Sequence, residues 1–243
     1  MNHLDPLAQR TLAELAGESA GAARVFARHG LDFCCGGRIP LAEACAKQGL
    51  DPRALLRELA AEERGDDAPQ TWSSQPLTEL VQHIVTRYHA PLLPEIARLL
   101  TMAQRVEKVH AGKESCPRGL AAELAEWSES LALHLRKEED VLFPLIAQDA
   151  GPRAASTIKT LETEHDDHAK ALARIRALTD DHVPPTEACG TWRALYAGLA
   201  EFELELMRHV HLENHVLYPR ALQSTMRTSP PDTCASATKA VPR

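Results

Sequence analysis

The chain carries one eleven-residue pattern twice: residues 134–144 read HLRKEEDVLFP and residues 209–219 read HVHLENHVLYP. Both are His-x-x-x-Glu-x-x-Val-Leu-(Phe/Tyr)-Pro. A spacing of four places the imidazole and the carboxylate one above the other on a single helix face. The repeat extends upstream, where His89 is followed seven residues later by IARL and His165 by LARI. His89 and His165 lie 76 residues apart, and His134 and His209 lie 75 apart. Self-similarity at a near-constant offset predicts one helical hairpin used twice. Two such hairpins face to face make an all-α four-helix bundle with four histidines and two glutamates at its centre.

The apolar pattern places these polar residues inside. One stripe reads Leu120, Leu124, Trp127, Leu131, His134, Glu138, Val141, Leu145, and another Leu195, Leu199, Phe202, Leu206, His209, Glu213, Val216. Steps of three and four mark seams that face a core. Weaker stripes hold Val85, His89, Leu92, Ile96 and Leu99, and Ile158, Leu161, His165, His168, Leu172 and Ile175. A lone His–Glu pair is usually a solvated helix face. Here both pairs interrupt a seam, and a buried carboxylate is costly unless paired or metal-bound. His89, His134, His165, His209, Glu138 and Glu213 are therefore the candidate metal ligands, a set suited to iron, manganese or zinc.

The other histidines follow the same logic. His211 and His215 lie two residues past seam positions, about 200° round the helix, and are expected to face away from the core into solvent. His83 is out of phase with His89 and is placed on the outer surface or behind the ligands. His3, His110 and His182 fall in or near termini and loops and are read as ordinary polar residues. His29 ends a short helix before Gly30, where a cation is favoured. His168 lies in the seam one turn beyond His165, as a further ligand, a core histidine or a hydrogen-bonding neighbour, and the last is expected.

The chain divides into a small helical unit at 1–64, a linker at 65–76, the bundle at 77–223 and a disordered tail at 224–243. Ser19 is expected to cap a short helix that ends at Gly30, and Pro40 and Pro52 to open two more. The bundle helices are expected over 77–109, 117–149, 153–179 and 186–223, with a kink just after His89 and bends at Pro144 and Pro219. Only 4% of the 243 residues are aromatic, which suits helices better than a sandwich. The net charge of −7 and the absence of a basic stripe argue against nucleic acid. No run of about 20 apolar residues predicts a membrane span. Without a signal sequence, the chain is expected in the cytoplasm, where its six cysteines stay reduced.

The motifs DFCCGG (32–37), RYH (87–89), HLRKEEDVLFP (134–144), ETEHD (162–166), PPTEACGTW (184–192) and HVHLENHVLYPRA (209–221) together have a known counterpart. Residues 1–223 resemble the repair-of-iron-centres (RIC) di-iron family of the YtfE/ScdA/DnrN/NorA type. The resemblance implies a hemerythrin-like bundle behind an ScdA-type N-terminal domain. It implies two non-haem irons, oxo- or hydroxo-bridged, held by His89, His134, His165, His209, Glu138 and Glu213, with both glutamates bridging. It further implies repair of iron–sulfur proteins damaged by nitric oxide or oxidants. Cys34 and Cys35 match the family's cysteine pair, and Glu164 stands where the family keeps an acid near the centre; these three are the candidate reactive residues. Oxygen-carrying hemerythrins have a fifth histidine where this chain has Ala169, which disfavours a carrier. Binding or reduction of nitric oxide is the alternative function, and a zinc-loaded structural bundle a third. A homodimer is compatible with the sequence.

Overall fold

The computed structural model describes residues 6–62, 72 and 74–223. The expectations for His3, Cys234, most of the linker and the 224–243 tail lie outside the described residues.

The N-terminal unit holds a 3-10 turn at Pro6–Gln9, then α1 (Leu12–Glu18), α2 (Ala20–Arg28), α3 (Leu41–Gln48) and α4 (Pro52–Glu62). Thr11 and Glu14 cap α1 reciprocally: the Glu14 N–H donates to Thr11 Oγ1 at 3.2 Å and the Thr11 N–H to Glu14 Oε2 at 2.9 Å. Ser19 caps α2 by accepting from Ala22 N–H at 3.2 Å. Gly30 takes φ +63° just past the end of α2, a conformation that a Cβ disfavours. Phe26, Phe33, Leu12 and Leu41 fill the core of this unit.

Each of the four bundle helices but the third is broken. The first runs α5 (Leu77–Ile84), a π turn at Val85–His89, and α6 (Ala90–Val109). The second runs α7 (Leu120–Lys137), a π turn at Glu138–Leu142, and α8 (Phe143–Ala147). The third is α9 (Ala155–Leu178), and the fourth runs α10 (Gly190–Leu212), a π turn at Glu213–Leu217, and α11 (Tyr218–Gln223). In each π turn an N–H reaches back five residues: Ala90 to the Val85 carbonyl, Phe143 to that of Glu138, and Tyr218 to that of Glu213. The next residue is proline every time, Pro91, Pro144 and Pro219. Proline has no N–H to give and its ring crowds the carbonyl four residues back; the wider turn relieves that crowding. The bends expected at the prolines are these π turns.

The extra residue shifts the seam by one. Beyond Glu138 the core takes Leu142 and Ile146, whereas Val141, expected inside, is 46% exposed. Beyond Glu213 it takes Leu217 rather than Val216, and ahead of His89 it takes Ile84 rather than Val85.

Two apolar clusters fill the interior. One joins the N-terminal unit to the half of the bundle that holds Ile96, Leu124, Leu172 and Phe202. The other gathers Ile84, Leu142, Phe143, Leu161, Leu217 and Tyr218. Along every bundle helix the expected ligand lies between a member of one cluster and a member of the other: Ile84–His89–Leu92, Leu135–Glu138–Leu142, Leu161–His165–Ala171 and Val210–Glu213–Leu217. The polar layer is thus sealed on both sides by hydrocarbon. Among the described residues there is no β-strand, only one isolated bridge between Thr11 and Pro40. None of their helices is long and apolar enough to cross a membrane.

Candidate metal centre

All six expected ligands are buried: His89 is 4% exposed, His134 2%, His165 1%, His209 1%, and Glu138 and Glu213 0%. Their donor atoms form two groups, His89, His209, Glu138 and Glu213 in one, and His134, His165, Glu138 and Glu213 in the other, each within a 4.8 Å span. Both groups use both glutamates. Glu138 turns Oε2 toward His89 Nε2 (3.4 Å) and Oε1 toward His134 Nε2 (3.5 Å). Glu213 turns Oε1 toward His209 Nε2 (2.9 Å) and Oε2 toward His165 Nε2 (3.3 Å).

The donor chemistry fits metal ions. His89 and His209 face each other Nε2 to Nε2 at 2.9 Å, as do His165 and His134 at 3.0 Å. On three of these rings the Nδ1–H is donated outward: His89 to Glu139 at 2.8 Å, His134 to Glu164 at 2.9 Å, and His165 to Asn214 at 2.9 Å. That fixes the tautomer and leaves an Nε2 lone pair pointing inward. Lone pairs this close repel unless positive charge lies between them. Glu138 Oε2 and Glu213 Oε2 are buried without any hydrogen-bond partner, which is costly for a carboxylate. A cation at each group answers both needs, with two imidazoles and two carboxylate oxygens per ion.

The electrostatics point the same way. Burial opposes charge on His134, yet Glu138, Glu213 and Glu164 outweigh it and raise its pKa to about 9. His89 is raised too, against burial, by Glu213 and Glu138. Burial works against a charged Glu213, but His209, His165 and His89 hold it well below the usual carboxylate range. The layer favours positive charge, supplied by protons or by metal.

The family model described as the hemerythrin HHE cation binding domain matches residues 80–221. The model described as ScdA_N, a domain of unknown function (DUF542), matches residues 8–63. The iron-sulfur cluster repair protein YtfE of Edwardsiella ictaluri (strain 93-146) is 48% identical over 213 residues, covering 88% of this chain and 96% of that protein. The proteins of the same name from Yersinia pseudotuberculosis (serotype O:1b, strain IP 31758) and Yersinia pestis (strain Pestoides F) are 44% identical over 214 residues, 88% of this chain and 97% of theirs. The chain belongs to the YtfE family.

Several residues around this YtfE-type centre escaped sequence reasoning, although the repeat carries the signal for them. Glu139 and Asn214 each directly follow a repeat glutamate, and they accept from His89 and His165, the equivalent histidines of the two halves. Phe143 and Tyr218 share the next aromatic position. Phe143 stacks on His89 (5.6 Å between ring centroids) and Tyr218 on His165 (5.9 Å). Only Tyr218 has a hydroxyl, and it donates to Glu138 Oε1 at 2.8 Å. Burial, with Glu138 and Glu213 adding to it, pushes that phenol well above its usual range, so it stays a donor. Glu164, expected near the centre from the resemblance, and Tyr88, which was not, form the third related pair, each just before a ligand histidine of its own half. Glu164 accepts from His134 and is ion-paired with Lys137. Burial works against its charge, yet Lys137 and His134 hold its carboxyl low. Tyr88 instead stacks flat on His209 at 5.5 Å, and His209 Nδ1 has no partner.

His168 is not within either donor group. It accepts from Trp127 Nε1–H at 3.1 Å and packs edge-on against His134 at 4.9 Å, but its buried Nε2 has no hydrogen-bond partner, so it touches a candidate ligand ring without bonding to it. Burial first, then its neighbours His134 and His165, lower its pKa to about 3. His211 and His215 do face away from the bundle core, but not into solvent. The N-terminal unit packs on that face: His211 is 6% exposed and donates to the Phe33 carbonyl at 3.3 Å, and His215 donates to that of Cys34 at 3.0 Å. His83 lies behind the ligand layer, between Trp72 and Tyr88. His29 caps the end of α2 and bonds Glu58 at 2.7 Å. His110 bonds the exposed Cys189 thiol at 3.2 Å, and His182 bonds Glu203 at 2.9 Å.

Cys34 and Cys35 sit directly over the third and fourth bundle helices. Asp32 gathers the loop, accepting from Cys34 N–H, Cys35 N–H and Gly36 N–H at 3.1, 2.8 and 2.8 Å. A Cβ on Gly37 would collide with the Phe33 carbonyl, so the tight turn requires glycine there. The two sulfurs are unbridged at 3.6 Å. The bond to Cys35, burial and Asp32 push the Cys34 thiol well above its usual range. Cys34, Cys35, His165, His168 and Ala169 line one small cavity of about 10 Å3, room for about one water. Asn214 joins the two sites, donating to the Cys34 carbonyl at 3.1 Å while it accepts from His165.

Proposed function

We propose that this protein repairs iron–sulfur clusters damaged by nitrosative or oxidative stress, by supplying iron from a two-iron centre. The observation that carries this reading is the pair of buried donor groups that share Glu138 and Glu213. His89, His134, His165 and His209 would hold the irons as terminal ligands, and Glu138 and Glu213, shared by both groups, would bridge them together with an oxo or hydroxo group. The repair role is what the names of the YtfE relatives describe. When bound, iron supplies a transferable ion and coordination positions open to a small ligand.

The chain's own residues set the terms of transfer. Glu139, Glu164 and Asn214 hold the imidazoles in the metal-binding tautomer. His134, whose proton Glu138, Glu213 and Glu164 favour, would give up that proton to bind metal and would regain it beside those carboxylates when the ion left. Two imidazoles per ion is a modest donor set, which suits release over permanent storage. Cys34 and Cys35, next to His165, are placed to handle iron or nitrosyl groups in transit; a reducing compartment such as the cytoplasm keeps them as thiols. The clients are iron–sulfur proteins that have lost iron.

A second reading is a nitric-oxide-binding or nitric-oxide-reducing protein. It is favoured by a cavity of about 640 Å3 lined by Arg87, Tyr88, Pro91, Phe202 and His209, which would admit a gas. Metal analysis with an absorption spectrum on anaerobically purified protein tests the centre: two irons per chain with oxo-bridge bands are expected, and stoichiometric zinc would overturn the proposal. Reactivation of a nitrosylated cluster protein without matching consumption of nitric oxide separates the first reading from the second.

A further inference from the structure

We infer that the two metal positions are inequivalent, and that the one at His89 and His209 is exchangeable while the one at His134 and His165 is retained. The inference rests on the proposed two-iron centre and goes beyond it to say which iron is given up.

Three repeat-related positions break the symmetry of the two halves, and all three favour the same side. At the position before the ligand histidine, Glu164 supports His134, whereas its counterpart Tyr88 stacks on His209 and leaves His209 Nδ1 with no partner. A ligand histidine without an outer hydrogen bond is neither fixed in orientation nor raised in donor strength. At the aromatic position, the Tyr218 hydroxyl orients Glu138 through Oε1, the oxygen on the His134 side, whereas Phe143 has nothing to offer Glu213. At the position after the glutamate, Glu139 supports His89 and Asn214 supports His165. Both are partnered, but Asn214 is itself anchored to the Cys34 carbonyl, while Glu139 has a side chain 44% exposed. The His134/His165 position thus has every imidazole supported, and the His89/His209 position does not.

Access agrees. A cavity of about 640 Å3 between α6 and α10 is lined by Arg87, Tyr88, Pro91, Glu95 and Phe202 and ends on His209. Pro91, Pro94 and Arg98 on its wall are exposed, so it opens to water. The opposite position is covered near His165 by the Cys34–Cys35 loop, with a cavity of only about 10 Å3 between them. Exchange therefore proceeds at the less supported position through the open groove.

The test is ferrous iron release from the full-length protein to a chelator under anaerobic conditions. Two phases of equal amplitude, at least tenfold apart in rate, are expected. Tyr88→Glu gives His209 the acceptor that Glu164 gives His134, and should slow the fast phase about 10- to 100-fold while leaving the slow one. Glu164→Gln should accelerate the slow phase and leave the fast one. The unfolding midpoint of each metal-free variant is measured alongside, so that a merely structural effect shows as a fall in both. Single-phase release by the wild type, or acceleration of the fast phase by Glu164→Gln, overturns the inference. If Tyr88→Glu does not fold, the Glu164 variant decides alone. Release needs no client, so a protein with the expected phases that reactivates no damaged cluster keeps the inequivalence and loses the repair reading.

Discussion

His134 can bind a metal ion only as the neutral imidazole, so in metal-free protein the proton takes the ion's place. Its pKa of about 9 lies above the unfolded value of 6.5, and the stability it contributes is complete below 6.5 and lost as pH rises through 9. His89 is shifted in the same direction. His168 and His211 behave oppositely. Burial lowers them to about 3 and about 4 from 6.5, so they favour the fold above 6.5 and withdraw support as pH falls toward 4. Chelator-stripped protein should therefore be most stable near pH 6.5, its unfolding midpoint falling on both sides. Iron-loaded protein should lose the alkaline fall, because the ion replaces the proton, and its iron affinity should rise with pH up to about 9. A metal-free midpoint that is flat between pH 6.5 and 9 would remove His134 from the centre. At the same scale, Glu138→Gln or Glu213→Gln should lower bound iron by at least half, whereas His211→Ala should leave iron unchanged. The latter variant strands the Phe33 carbonyl and costs about 1–3 kcal/mol, or about 2–4 °C in midpoint per kcal/mol. Equal iron loss from all three would show that the face assignment is wrong.

At the scale of the helix, the π turns explain both what could be read from the sequence and what could not. The repeat exposed His134, Glu138, His209 and Glu213 because each glutamate opens its π turn while its N–H still bonds the histidine carbonyl four residues back, so a spacing of four keeps one face. Past the glutamate, the α period no longer holds. Val141 and Val216 were expected inside, and Leu142 and Leu217 lie there instead, because a π turn is one residue inserted into a helix. The clue was present in Pro91, Pro144 and Pro219, each two residues past the end of a π turn, but a proline signals a bend without stating that an extra residue absorbs it. His211 and His215 were misplaced for a different reason: a bundle considered alone cannot reveal that another unit covers its outer face. The insertion itself is open to test. Deleting Val141, which is 46% exposed, removes the extra residue and turns Glu138 by about 100° relative to α8. The deletion should also force Pro144 against a regular helix at a cost of about 3 kcal/mol. Adding Pro144→Ala to the deletion should restore most of the stability but not the iron, measured as thermal midpoint and iron per chain. Full iron in the double variant would mean that the π turn does not set the direction of Glu138.

At the scale of the whole molecule, the N-terminal unit is held by a one-way set of hydrogen bonds. Side chains of the bundle donate to its backbone carbonyls: His211 to Phe33, Asn214 and His215 to Cys34, Arg208 to Ala20 and Arg176 to Ala27, at 2.8 to 3.3 Å. Because the acceptors are main-chain atoms, changes to the Cys34 and Cys35 side chains leave the attachment intact, and chemistry at the thiols can be separated from docking. Removing the unit is a different perturbation. It opens the apolar cluster that the two parts share and frees Asn214 from the Cys34 carbonyl, which loosens the acceptor that holds His165. No expected ligand lies in residues 1–64, so a chain lacking them should still fold as a bundle and bind iron, with a lower thermal midpoint. Its slow phase of iron release should quicken by about tenfold, since support for one ligand histidine is weakened. A full-length Cys34→Ser/Cys35→Ser double variant should keep the slow release of the wild type and lose repair activity. If the truncated and intact chains release iron at the same rates, Asn214 does not transmit the docking of the N-terminal unit to the centre. If the double variant repairs clusters at full rate, the cysteine pair is packing alone.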